Sequence, residues 1–288
     1  MQPVVERLGY MSLGVKNLEE AVTLYSRIGR LEETERRGRT AFMTAGVDHH
    51  WLRLEEGEAD GVNRVAYEVG GPEALEAARE VLRQWNIDYD ERKDPLNERV
   101  AHRLRFADPG GMPIELFYGM TQRPNEWSGQ GIRIKKLLHA GWATPNIEEV
   151  ARFYQEGLGF KLSDQIEDQA LFLRAGDRYH HSLVLLGMNV DKARFGHFCF
   201  LVDTLDDVMR IRTNALRHGG KISMDLMRHG PSGSAAVYFR DAARMLDFEY
   251  CFDHAQIDDA THRPRILHNT PEAGNVWERQ LTDPITFN

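Results

Sequence analysis

The order of apolar and polar positions repeats along the chain. "GYMSLGVKNLEEAVTLYSRIG" (9–29) runs from a short apolar stretch through an asparagine and an acidic pair into a stretch with apolar residues every three to four positions. "LHAGWATPNIEEVARFYQEGLG" (138–159) has the same order. With Asn17 set on Asn146, Leu18, Val22 and Tyr25 fall on Ile147, Ala151 and Tyr154. That spacing predicts a helix with one buried face in each copy, and the run before it reads as a strand. Asparagine is expected to cap each helix, with the acidic pair in its first turn.

A second pair of segments behaves likewise. "VNRVAYEVGGPEALEAAREVLRQWN" (62–86) lies on "FGHFCFLVDTLDDVMRIRTNALRHG" (195–219), each a strand followed by a helix. Strand-like stretches close both halves, "HRLRFADPGGMPIELFYG" (102–119) and "AAVYFRDAARMLDFEYCF" (235–252). The chain therefore reads as four strand–helix–strand–strand–strand units, paired into two domains of the α+β class with curved, barrel-like mixed sheets and their helices on one side. The expected domains are 1–120 and 137–253, joined by a linker at 121–136 rich in turn residues and followed by a tail at 254–288.

Composition narrows the partners. The chain has 288 residues, 42% hydrophobic and 28% charged, with a net charge of −8. This fits a soluble globular chain long enough for two cores. No stretch approaches the roughly 20 apolar residues of a membrane helix, and "MQPVVERLGY" lacks a signal peptide's basic and apolar regions. A cytoplasmic protein without a membrane partner is expected. The acidic balance and the lack of a Lys/Arg cluster argue against nucleic acid. Cys199 and Cys251 sit in apolar runs and read as buried thiols. Oligomeric state is left open, a homo-oligomer included.

The copies can be read against each other, because what both share serves the fold and what one alone carries is a candidate for chemistry. The first-strand position is Tyr10 in one half and His139 in the other; a later strand has Arg64 against His197; the last has Glu115 against Glu249. A single histidine in an apolar strand more often satisfies the core than a metal. Two at repeat-related positions, with a strand glutamate, reverse that expectation. Two imidazoles and a carboxylate suit non-haem Fe(II) and leave open positions for further ligands. "RYHHSLVLL" (178–186) adds a histidine pair at a strand start, of which alternation lets one, His180 or His181, face a site. The other is expected to be solvated. "DHHWLRL" (48–54) places a similar pair in the first half, so this feature is not peculiar to the second.

These residues resemble the two-domain type I extradiol dioxygenases of the vicinal oxygen chelate superfamily, which cleave catechol rings. The resemblance covers about residues 7–253 and is most specific in "RHGPSGSAAVYFRDAARMLDFEY" (228–250). It implies metal ligation by His139, His197 and Glu249, with Fe(II) as the ion and Mn(II) acceptable to the same ligands. It implies that His181 meets bound oxygen, and that His229 and Tyr238 bind the substrate and move its proton. The implied substrates are a catechol and O2, and the implied outcome is ring opening beside the two hydroxyls. The superfamily's fold also carries glyoxalase-like isomerases and metal-free binding proteins, so fold alone does not decide function.

One departure stands out. The family's Asp-Pro-x-Gly turn is replaced by "DAAR", and Glu249 falls eleven positions after Tyr238 where ten is usual. A tight turn with positive φ favours glycine, so a wider turn is expected here. Counting back from Glu249 would instead put Phe239 at the tyrosine's place; the spacing from His229 through Tyr238 to Asp241 favours Tyr238.

Overall fold

The structure is a computed structural model that describes residues 5–93, 98–124 and 132–278. The first half forms an eight-stranded mixed sheet from β1 (Val5–Val15), β2 (Glu32–Arg37), β3 (Thr40–Thr44), β4 (Leu52–Glu56), β5 (Gly61–Val69), β6 (Tyr89–Lys93), β7 (His102–Ala107) and β8 (Pro113–Tyr118), in the order β2-β3-β4-β1-β5-β8-β7-β6. The second half repeats it with β9 (Ile134–Thr144), β10 (Lys161–Ile166), β11 (Ala170–Arg174), β12 (Leu183–Gly187), β13 (Arg194–Val202), β14 (Ile222–Arg228), β15 (Ala235–Asp241) and β16 (Leu246–Phe252). Its order, β14-β15-β16-β13-β9-β12-β11-β10-β17, is that of the first sheet read from the other edge, with one strand added. The fold is thus the mixed α+β arrangement expected from the repeats.

The added strand, β17 (Arg265–Leu267), comes from the stretch read as a tail and pairs in parallel with β10. Part of that stretch is therefore built into the second sheet. Residues 279–288, and residues 125–131 of the expected linker, lie outside the described residues. Of the linker's ends, Thr121 and Arg123 donate backbone hydrogen bonds to Arg99 and Val47, while Ile134 already belongs to β9.

The helices follow the apolar spacing. They are α1 (Leu18–Arg27), α2 (Pro72–Gln84), α3 (Ile147–Arg152) and α4 (Leu205–Arg217), with a short α5 (Pro271–Gly274) near the end. Asn17 caps α1 as expected, accepting from the Glu20 N–H at 3.1 Å. Asn146 does not cap α3. Its φ of 49° is left-handed, a region asparagine tolerates, and its side chain makes no capping hydrogen bond. Helix α3 is correspondingly short, six residues, and passes into a π-helical turn at Phe153–Gly157.

The two halves share one core. A single buried cluster takes in Leu13, Val65 and Leu116 from the first sheet and Trp142, Phe198 and Tyr250 from the second. Tyr25 on α1 packs on Phe198 and Phe248 of the opposite sheet, at ring distances of 6.2 and 5.5 Å. In return Phe153 and Phe160 reach Phe106 and Tyr67 of the first sheet, at 6.0 and 5.4 Å. Sharing aromatic surface in this way lets each sheet bury a face that it could not cover alone.

At "DAAR" the expected wider turn is not found between the paired strand ends, since the first half has five residues, 108–112, between Ala107 and Pro113, and the second-half ladder runs one pair further. Four residues, 242–245, join Asp241 to Leu246, and Met245 takes the positive φ, 54°, that Gly111 takes in the first half at 89°.

Candidate metal centre and its pocket

Strands β16, β13 and β9 are neighbours in the second sheet. His139 lies across from Cys199 on β13, and Cys199 in turn lies beside Glu249 on β16. The strand order therefore brings together three side chains that are up to 110 positions apart. His139 Nε2 stands 3.1 Å from His197 Nε2 and 3.0 Å from Glu249 Oε2, and His197 Nε2 is 3.7 Å from the same oxygen. Gly141 makes room for this. A Cβ there would lie 2.6 Å from the His197 ring, so only glycine lets that ring rest on β9.

The donor set fits a metal ion. Glu249 is fully buried, yet neither carboxylate oxygen has a hydrogen bond of acceptable geometry. A buried carboxylate without such partners is costly unless a cation compensates it. Cis ligands at about 2.1 Å from an octahedral ion lie about 3.0 Å apart, close to two of the three distances here. Burial, then the neighbouring His139, pushes His197 down to about 3, so it is a neutral donor. Burial would raise Glu249, but His139 and His229 outweigh it and hold the carboxyl well below its usual range.

The site opens on a cavity of about 170 Å³. His139, His181, His197, His229 and Tyr238 line its polar end, and Ile166, Phe172, Val184 and Leu186 are among its apolar walls. The Tyr238 hydroxyl is 2.8 Å from His229 Nε2. His229 Nδ1 is 3.0 Å from the carbonyl of Gly274, which can only accept, so Nδ1 carries the proton. The tail thus holds His229 in place, and Ala273 and Gly274 form part of the pocket wall. Burial and the charge of Glu249 push the Tyr238 hydroxyl well above its usual value. Tyr238 pairs with Glu249 across β15 and β16, whereas Phe239 pairs with Phe248 and packs in the core.

The histidine pair differs from expectation. His181 lines the pocket with its ring 4.3 Å from that of His139, and burial holds it well below its usual value. His180 is not solvated. It is 1% exposed, and its Nε2 lies 2.9 Å from Asp164 Oδ2. Both residues precede β12, so neither is bound by strand alternation, and a buried carboxylate gives His180 a partner that water would otherwise supply.

His254 was not singled out from the sequence. Its ring is 4.5 Å from His181 and 5.7 Å from His139, and both its nitrogens are buried without partners. It follows the last strand of the repeat, where the matching bonds from His49 N–H to Thr121 and from His180 N–H to Ala255 set it on Met120 of the first half, so the comparison of the halves carried a signal for it. His139, His181 and His254 form a second group of convergent donors, and Cys199, Glu249 and Cys251 a third; His139, His197 and Glu249 are the set in which two imidazoles face the cavity beside a carboxylate.

The first half fills the same place differently. Tyr10 donates to Glu115 Oε1 at 2.5 Å, Arg105 Nε donates to Glu115 Oε2 at 2.6 Å, and Arg64 Nε stands 3.3 Å from that oxygen. Guanidinium groups neutralise the buried carboxylate there.

Comparison with known proteins finds relatives over most of the chain. Residues 136–247 match the model of the Glyoxalase/Bleomycin resistance protein/Dioxygenase superfamily. A manganese-dependent 2,3-dihydroxybiphenyl 1,2-dioxygenase from Geobacillus genomosp. 3 is 27% identical, covering 84% of this chain and 83% of that protein. A biphenyl-2,3-diol 1,2-dioxygenase from Pseudomonas sp. (strain KKS102) is also 27% identical, covering 89% and 92%. The crystal structure of homoprotocatechuate 2,3-dioxygenase from Arthrobacter globiformis superimposes with a TM-score of 0.88 at 23% identity, covering 97% of this chain and 90% of that one, and so shares its fold. Residues 136–247 thus carry a domain of the Glyoxalase/Bleomycin resistance protein/Dioxygenase superfamily, and the relatives that match most of the chain's length are extradiol ring-cleaving dioxygenases.

Proposed function

We propose that this protein is an extradiol dioxygenase that opens a catechol ring beside its two hydroxyls, with His139, His197 and Glu249 holding one Fe(II) or Mn(II) ion. The observation that carries this reading is the triangle of two imidazole nitrogens and one buried carboxylate oxygen, with sides of 3.0, 3.1 and 3.7 Å, at the polar end of a largely apolar cavity. His139, His197 and Glu249 would hold such an ion with positions left open for further ligands. Held by these three residues, the ion would supply Lewis-acid and redox chemistry common to the catechol and oxygen.

The protein supplies the rest. The apolar walls hold the ring and keep water from the reacting atoms. Tyr238 and His229, in hydrogen-bond contact, orient a substrate hydroxyl and carry its proton. His181, on the other side of His139, faces the oxygen. Residues 137–253 form the catalytic domain and residues 1–120 a domain without a metal, in which Arg64 and Arg105 stand against Glu115.

The test is anaerobic loading with Fe(II) or Mn(II), followed by oxygen uptake against a panel of catechols. We expect one O2 consumed per ring and a yellow ring-opened product. A protein carrying one metal per chain that consumes no oxygen with any catechol overturns the reading.

A further inference from the structure

Behind His181 runs a chain of polar contacts that leads out of the pocket. His181 Nδ1 is 3.0 Å from His180 Nδ1, and His180 Nε2 is 2.9 Å from Asp164 Oδ2. Asp164 in turn accepts from the backbone N–H of Arg265 at 2.8 Å and from its Nε at 3.0 Å. Every member except Arg265 is buried. Burial opposes the charge of Asp164, but the hydrogen bonds from His180 and Arg265 prevail and hold it down to about 2, so it only accepts.

The order of donors then follows from Asp164 inward. His180 must carry its proton on Nε2 to donate to the carboxylate. Burial keeps His180 neutral, so its Nδ1 is a bare lone pair. Two bare nitrogens would not rest 3.0 Å apart in a buried site, so His181 carries its proton on Nδ1 and donates it to His180. We propose that Asp164 and His180 are positioning residues that fix the Nδ1–H form of His181, so that an unprotonated Nε2 faces the pocket. The role in turnover rests on the dioxygenase reading above; the proton placement does not. A neutral His181 can therefore give a proton at Nε2 only after receiving one there.

The first half repeats this chain of contacts. His50 Nδ1 is 3.2 Å from His49 Nδ1, His49 Nε2 is 3.0 Å from Glu35 Oε2, and Arg99 donates to Glu35 at 2.7 and 2.8 Å. There His50 Nε2 is buried with no partner. The repeat thus provides an internal control, since the two chains share fold-level roles while one alone ends at a candidate site.

The test combines nitrogen-15 NMR with kinetics. The full chain is labelled with ¹⁵N-histidine and observed with and without Zn(II), a diamagnetic ion. His181 should show a protonated Nδ1 and a bare Nε2. Asp164→Asn should reverse this, because the Arg265 backbone N–H keeps the amide oxygen at Oδ1 and turns the amide NH2 towards His180. In the Fe(II) or Mn(II) enzyme the same variant should retain metal content and anaerobic catechol affinity within about twofold, yet slow the oxygen reaction at least about tenfold. Asp164→Glu should recover part of that loss, and Glu35→Gln should leave turnover unchanged. A wild-type His181 protonated on Nε2 overturns the proposal, even if Asp164→Asn does not fold and even if no catechol is cleaved. Equal loss of metal, affinity and rate in Asp164→Asn would mean that the carboxylate serves the fold alone.

Discussion

The Tyr25 hydroxyl donates to Asp241 Oδ2 at 2.7 Å, joining the first helix of one half to the last hairpin of the other. Tyr154 donates to Asp108 Oδ2 at 3.0 Å and completes the reciprocal pair. The two bonds are repeat-related but not alike. Arg244 also binds Asp241, whereas among the described residues no cation pairs with Asp108, which relies on Tyr154 and the N–H groups of Gly110 and Met112. Tyr154→Phe should therefore cost more than Tyr25→Phe at neutral pH, roughly 2–3 against about 1 kcal/mol, because it strips a buried carboxylate that has no cation. Urea unfolding of the two variants measures the difference; equal losses would show that Arg244 contributes nothing.

Asp108 also sets a pH dependence. Burial pushes its carboxyl up from 3.8 to about 6, against the opposing hydrogen bonds. The folded protein therefore binds this proton more tightly than the unfolded chain. The corresponding stability is complete below about pH 4 and is lost as the pH rises through about 6. Relative to Asp108→Asn, which cannot titrate, the wild type should lose on the order of 3 kcal/mol between pH 4 and pH 7 and little beyond. Unfolding free energies of both proteins across that window test the sign, and a gain in place of a loss would contradict it.

Metal binding should be visible in stability before any assay of turnover. An ion present at 100 times its Kd adds about 2.7 kcal/mol, or a rise of several degrees in Tm for a chain of this size. Fe(II) or Mn(II) should raise the Tm of the wild type and not that of His139→Ala, His197→Ala or Glu249→Ala. A ligand variant that keeps both the shift and one metal per chain would remove that residue from the site.

The first half should bind no ion. Arg64 and Arg105 already neutralise Glu115, so Glu115→Gln should leave metal content near one per chain. Two ions per chain in the wild type, by elemental analysis, would show that Glu115 ligates despite its arginines.

The turn after Asp241 offers a local test. Met245 has a positive φ of 54° and is 79% exposed, so it bears a conformational cost without packing in return. Met245→Gly should raise stability by about 0.5–1 kcal/mol. Any loss would mean that the exposed side chain makes contacts outside this chain.

By itself the sequence determined the four-unit repeat, the α+β class and the residues whose character changes between the halves. These are legible because apolar periodicity follows local geometry and because a duplicated chain shows its own differences, as in Tyr10 against His139 and Arg64 against His197. The tertiary structure alone decided which side chains meet. His180 reaches Asp164 from sixteen positions away, His254 arrives beside His181 from beyond the last repeated strand, and Gly274 in the tail fixes the proton on His229. Such contacts depend on the order of strands in the sheet and on the path of chain that crosses it. Neither leaves a periodic signal, and a buried histidine with an acidic partner has the same local sequence as one exposed to water.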